Sequence, residues 1–278
     1  MTDSNFEYGE GSNVGLVRTN NEDSALSNPD AGLWLIADGM GGHDAGEVAS
    51  QIVKDSVLQS IQNGKSIQEA ILQSHADVKN AAANNIGSPN MGTTIVALIS
   101  HGATYQIAWV GDSRAYLWDS LNNQLTQISK DHSYVQALVD AGSISKEEME
   151  THPQKNIITQ SLGVSELDGI VVDMIEKEWH SGDKIMLCSD GLTDLVTDTD
   201  ISALFRKHRG KNNQALVDAL IQAALDKGGI DNVSVQVISA PDNLNDLHST
   251  KTFNLKYIIG IAATAAILSV GAAWLFLK

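Results

Sequence analysis

Four times in this sequence a short apolar run leads into an aspartate followed at once by a small or turn-forming residue, in LIADGMGG, WVGDSRAY, MLCSDGL and GGIDNVSV. The pattern constrains the fold more than any other feature, because it puts Asp38, Asp112, Asp190 and Asp231 at the edges of strands. A single Asp-Gly or Asp-Asn pair is ordinary hairpin punctuation. Four carboxylates gathered into one cleft by sheet packing would instead repel one another, and hard divalent cations with oxygen ligands relieve such a cluster. Mg2+ or Mn2+ suits it better than zinc, since eight histidines and one cysteine show no close ligand spacing. Two such ions about 4 Å apart hold a hydroxide between them and clamp a phosphoryl oxygen for in-line displacement. A phosphoester is therefore the expected substrate class.

Strands are expected at Leu33 to Ala37, Thr94 to Ile99, Tyr105 to Val110, Ala115 to Trp118, Lys184 to Cys188 and Val233 to Ile238. Helical periodicity places Val48, Ile52, Val53, Val57 and Ile61 on one face of Glu47 to Ile61. Ser66 and Glu69 form a capping box opening a second helix with Ile67, Ala70, Ile71 and Val78 inward, and Ser145 with Glu148 repeats the signal. Asn213 to Lys227 is a further helix, stopped by Gly228 and Gly229. Strands joined by tight turns, with helices in pairs, imply mainly antiparallel sheets covered by helices.

The globular part is expected over residues 1–239, followed by a polar linker over 240–254 and a transmembrane helix over 255–277. Tyr257 to Leu277 carries no charge, Tyr257 and Trp274 sit near its ends, and the span from Leu255 is long enough for a hydrocarbon core of about 30 Å. Lys251 and Lys256 precede it, so the positive-inside rule keeps the globular part cytoplasmic, on a single-pass anchor in the cell inner or plasma membrane. A monomeric anchor is the default, because the small residues Ala262 and Ala266 are a weak packing signal.

The first 246 residues carry −19, from 15 basic against 34 acidic groups. A surface of clustered Lys and Arg is not expected, and with it nucleic acid is set aside as a ligand. Other phosphate chemistries fail on particular residues. A thiolate phosphatase needs an arginine six positions after its cysteine, and six after Cys188 comes Asp194. GSPNMGTT mimics a phosphate-binding loop but has Thr93 in place of the lysine and leads into a strand.

With these residues in view, the chain resembles the bacterial branch of the PP2C family of metal-dependent protein phosphatases. Eight blocks carry the likeness in order: NVGLVRTNNEDS, ADGMGGHDAGEVAS, MGTTIVAL, VGDSRAYLW, KDHSYVQALVDAG, NIITQSLG, CSDGLTDLV and DNVSVQVI. The resemblance implies an α+β fold, an αββα sandwich of two antiparallel sheets flanked by helices, with a binuclear site at one edge. It implies that Asp38 bridges two Mn2+ or Mg2+ ions, that Gly39 offers its carbonyl oxygen, and that Asp190 and Asp231 complete the protein ligands. A third ion maps onto Asp112 and Asp190, with Asp194 as a further candidate. Arg18 matches the phosphate-binding arginine, while Glu22, Asp23 and Asn232 stand behind the ligands. Asp131 to Gly163 corresponds to a flap beside the site.

The implied reaction is hydrolysis of phosphoserine or phosphothreonine in proteins by direct attack of a metal-bridging hydroxide, opposing a serine/threonine kinase. Met40 stands where animal relatives carry a histidine, which leaves His43 or a metal-bound water as the proton donor. Two other readings compete. A catalytically silent phosphoprotein-binding module is disfavoured by the intact aspartate set, and a phosphohydrolase of small esters is separable by comparing rates on phosphopeptides and free metabolites.

Overall fold

The computed structural model describes residues 6–42, 45–164, 169–242 and 244. The proposed transmembrane segment 255–277, most of the linker and His43 lie outside the described residues. Among the described residues no helix is long and apolar enough to cross a membrane.

Two antiparallel sheets form the centre. The first holds β1 (Tyr8–Asn13), β7 (Arg114–Asp119), β8 (Gln124–Gln127), β10 (Lys184–Cys188) and β11 (Val233–Ser239), in the order β1-β11-β10-β7-β8. The second runs β2-β3-β5-β6-β9, made of β2 (Asp23–Asn28), β3 (Leu33–Met40), β5 (Ile95–His101), β6 (Thr104–Val110) and β9 (Asp173–Glu178), with the short β4 (Gly92–Thr93) paired to β3. On the outer face of the second sheet lie α1 (Ala45–Gln62) and α2 (Ile67–Ala83). The first sheet is covered by α6 (Asp198–Lys207) and α7 (Asn213–Asp226). Each central strand is thus buried on both faces, which is why its sequence is a continuous apolar run instead of an alternating one.

The period of two nevertheless decides which core each residue joins. Leu33, Leu35 and Ala37 of β3 pack under α1 and α2, while Trp34 and Ile36 point between the sheets with Val96, Leu98, Tyr105 and Ile107. In β10, Ile185 and Leu187 face the other sheet and Met186 and Cys188 face α6 and α7. All six expected strands are present, each extended by a residue or more at one or both ends except β10, which matches, and Thr94, which lies outside β5. The GSPNMGTT segment contains the short β4 and leads into β5, a strand as expected.

The expected face of α1 packs as a unit: Val53 and Val57 are buried in the core, with Val48, Ile52 and Ile61 partly buried against it, and the small residues Ala45, Gly46, Ala49, Ser50, Ser56 and Ser60 complete the buried side. The helix rides so close to β3 that small residues must line the contact: a Cβ on Gly39 would collide with the Gly46 carbonyl oxygen. One expectation needs correction, that basic groups do not cluster: Arg206, Lys207, Arg209 and Lys211 are all exposed and follow closely in sequence at and just beyond the end of α6.

Candidate active site

The carboxylates meet because strand ends meet. Asp38 lies near the C-terminal end of β3, Asp112 in the turn from β6 to β7, Asp190 at the first residue of α5 (Asp190–Thr193) just after β10, and Asp231 just before β11. They share one cleft of about 620 Å³ with Arg18, Glu22, Gly39, Met40, Thr94 and Asn232, and with Ile158 of the flap segment. Asp23 lies beneath the cleft as the cross-strand partner of Asp38. Asp194 lies in an adjoining groove that also contains Asp112 and Asp190.

Local hydrogen bonds hold the scaffold. The Asp38 backbone is clamped on both sides: Thr94 donates its N–H to the Asp38 carbonyl at 2.8 Å, Thr93 Oγ1 donates to the same carbonyl at 2.8 Å, and Asp38 N–H donates to Thr94 Oγ1 at 3.2 Å. Thr94 Oγ1 also pairs with Ser113 Oγ at 2.7 Å, tying β3 to the Asp112 turn. That turn needs Gly111, whose φ of 107° lies in the left-handed region and whose missing Cβ leaves room for Thr94. Asn232 staples the loop after β1: its Nδ2 donates to the carbonyls of Val14 and Asn20, each at 2.9 Å, and its Oδ1 accepts from Glu22 N–H at 2.8 Å. Gly39 N–H donates to the Glu22 carbonyl at 3.1 Å.

The charges within this frame are unbalanced. Burial, reinforced by the carboxylates of Asp23, Asp190, Asp112 and Asp231, pushes the Asp38 carboxyl well above its usual range. Asp190 is raised in the same way by burial and then by Asp112, Asp194, Asp231 and Asp23. Burial followed by repulsion from Asp131 lifts Asp112 to about 7. Asp23 reaches about 6, raised by burial and held back by hydroxyl donors including Ser189, whose Oγ lies 2.9 Å from its Oδ2. Arg18 is the only cation among the described lining residues. Its Nη2 donates to Asp231 Oδ2 at 2.7 Å, and this pairing raises the guanidinium pKa further.

Whether these residues suit divalent cations can be judged from the donor set. It is made of carboxylate and carbonyl oxygens, and Asp112 Oδ1 is buried without a hydrogen-bond partner. No group of three acidic, histidine or cysteine side chains among the described residues converges on a single ion position. It is the oxygen chemistry of the donors that suits Mg2+ or Mn2+, which take one or two carboxylates and fill the remaining positions with water. The fit is good. Cys188, by contrast, is buried and its thiol is pushed up to about 12, so it holds no reactive thiolate.

Asp38, Gly39, Asp112, Asp190, Asp231, Arg18, Glu22 and Asn232 are all brought to the cleft, and Met40 lines it as well. Asp194 accepts from Lys155 Nζ at 3.0 Å and Asn156 Nδ2 at 3.2 Å, two residues of the flap segment. Sequence reasoning missed Thr94, Ser113 and Ser189, which position the carboxylates without contacting the cleft's centre in any way a motif announces. Their one signal was a hydroxyl flanking an aspartate or a strand start.

This geometry, two facing antiparallel sheets with a cleft of oxygen donors at one shared end, is that of a phosphatase fold, and the chain belongs to the Protein phosphatase 2C family, whose pattern matches residues 17–226. Serine/threonine protein phosphatase PstP of Mycobacterium tuberculosis is 37% identical over 243 residues, covering 85% of this chain and 45% of that protein. The chain therefore spans about half the length of that relative. Serine/threonine phosphatase stp of Listeria welshimeri is 35% identical over 237 residues, 81% of this chain and 92% of its own length. Among solved structures, the catalytic domain of PstP in complex with 2 manganese ions superposes with a TM-score of 0.75 at 34% identity, covering 85% of this chain and 99% of that one.

Proposed function

We propose that this chain is a metal-dependent serine/threonine protein phosphatase that hydrolyses phosphoserine and phosphothreonine in proteins. The observation that carries the reading is the cleft itself, lined by Asp38, Asp112, Asp190 and Asp231, of which only Asp231 is paired among the described residues, to Arg18, while one buried oxygen of Asp112 is unpartnered. Two Mn2+ or Mg2+ ions would be held by Asp38, the Gly39 carbonyl, Asp190 and Asp231, and when bound they supply a water of lowered pKa and positive charge at the phosphoryl oxygens. Asp112 and Asp190, with Asp194 beside them, are the candidate ligands of a third ion.

The chain's own residues do the rest. The backbone of Asp38 is fixed by Thr93 and Thr94, so the point from which its carboxylate springs is set before any ligand arrives. Arg18 is half-exposed at the cleft mouth and offers a planar fork to two phosphate oxygens, exchanging its bond to Asp231 for one to substrate. Ile158 brings the flap to the cleft edge, where it limits what can approach. Proton delivery to the leaving alkoxide is assigned to His43 or a bound water, since Met40 cannot supply it. His43→Ala should lose activity selectively on phosphopeptide relative to p-nitrophenyl phosphate if His43 is the donor.

The segment 255–277 anchors this domain to the inner face of a membrane, supported by the charge-free run from Tyr257 to Leu277 and by Lys251 and Lys256 on its N-terminal side. There it would act on the targets of a serine/threonine kinase as a monomer. Asp38→Ala, or EDTA treatment, should lower turnover on a phosphopeptide by about 10³-fold or more. Full activity of either preparation would discard the mechanism, and faster turnover of free phosphometabolites than of phosphopeptides would discard the protein substrate.

A further inference from the structure

The strands that present carboxylates at one end present a different chemistry at the other. β11 starts beside Asp231 at Val233 and ends at Ser239, a strand spanning roughly 20 Å at about 3.3 Å per residue. At that far end, Ser239, Lys184 at the start of β10 and Trp118 at the end of β7 line a groove with Arg209 and Lys211. Ala240, Pro241, Asp242 and Leu244, the residues leading out of the domain, line the same groove.

The basic groups here are held in place and uncommitted. Phe205 stacks on Trp118 with ring centroids 5.2 Å apart, fixing the end of α6 against β7. Arg206 and Lys207 close α6, and there they complement the helix dipole. Arg209 and Lys211 lie beyond the helix, where the dipole gives them no reason to be. Among the described residues none of the four forms an ion pair, although Arg209 Nη1 donates to Asn123 Oδ1 at 3.2 Å. Glu7, whose Oε1 accepts from the Asn213 N–H, and the exposed Asp242 are the acids of the groove among the described residues, against the three cations Lys184, Arg209 and Lys211.

We propose that this pole, Arg206, Lys207, Arg209 and Lys211, docks on the anionic headgroups of the membrane that holds the chain, turning the catalytic cleft away from the bilayer. The proposal rests on the reading of 255–277 as a membrane span. Only 12 residues separate Asp242 from Leu255, at most about 40 Å of chain, so this groove is the part of the domain tethered to the bilayer once that span is inserted. The net negative charge of the domain is repelled by anionic lipid, whereas each basic group at such a surface adds about fivefold in partitioning, or up to about 10³-fold for four. Attraction and repulsion then specify one orientation.

The experiment uses the full chain in proteoliposomes of phosphatidylcholine, with and without phosphatidylglycerol, followed by amide hydrogen exchange. Exchange across 205–213 should slow severalfold only in the phosphatidylglycerol vesicles, and the protection should vanish in 1 M salt. It should also vanish in the combined variant Arg206→Gln, Lys207→Gln, Arg209→Gln and Lys211→Gln, whose unchanged phosphopeptide turnover in detergent shows that it folds. Equal exchange in both vesicles overturns the docking. So does protection by a soluble phosphopeptide in detergent with none by phosphatidylglycerol. Failure of the anchor reads differently, as loss of flotation with neutral vesicles in high salt.

Discussion

Two buried groups of carboxylates, side by side in this protein, have opposite electrostatic fates. Asp131 receives Arg114 through Nε at 3.0 and 2.9 Å and Nη2 at 2.6 Å, with Gln127 Nε2 adding a bond at 2.8 Å. Its charge is neutralised from within the chain. Asp38, Asp112 and Asp190 have no such counterpart, and each is driven toward its protonated form. The first group is a finished ion pair that holds β7 to the start of the flap; the second is completed only from outside. A cluster that the fold leaves charged and unpaired marks the place where a ligand must supply the missing energy.

The sharpest way to separate the two is to remove one charge from each. Asp38→Asn should cost about 10³-fold in turnover yet raise the melting temperature of EDTA-treated protein, because it deletes a repelled charge. A fall in that temperature would show the cluster to be structurally satisfied after all. Arg114→Met should do the reverse, destabilising by about 3–5 kcal/mol through the stranded Asp131, with no rescue by Mn2+. Denaturant melts with and without the metal decide this.

Acid titration gives a third comparison. Folded Asp23 and Asp112 titrate near 6 and 7, above the ordinary aspartate value of 3.8, so the metal-free folded state holds more protons than the unfolded chain across this window. Stability of the EDTA-treated protein should therefore fall as pH rises from about 4 to 7, and saturating Mn2+ should flatten or reverse that slope. Calorimetry at fixed ionic strength measures it. The smallest effect belongs to Ser189→Ala. It removes the donor to Asp23 and the acceptor of Ser234 N–H at 2.9 Å, costing about 1–3 kcal/mol, and raises the pH at which the metal-free protein weakens.

Much of this was legible in the sequence because central strands buried on both faces must be apolar throughout. Leu33–Met40, Thr104–Val110 and Lys184–Cys188 announce themselves in that way. Of the strands that were not foreseen, Tyr8–Asn13, Asp23–Asn28, Gln124–Gln127 and Asp173–Glu178 are sheet edges with half-exposed residues and polar sequences such as YGEGSN and DMIEKE, and Gly92–Thr93 is only two residues long. Their register comes from the neighbour, as Gln236 Nε2 shows by reaching from β11 to Glu10 and to the Leu26 carbonyl. The four cleft aspartates were readable from their flanking turns. The ion pair of Arg114 and Asp131 was not, since 17 residues separate partners that only the β7 and β8 hairpin brings together.

The sole thiol has a practical consequence. Cys188 is sealed between β10 and the α6–α7 layer, so a thiol reagent cannot reach it until that layer lifts. With no second cysteine to compete, the rate of labelling becomes a stopwatch for the opening of the sheet that carries Asp190 and Asp231. A cysteine introduced anywhere on the surface would react alone, on a background that stays silent while the protein is folded.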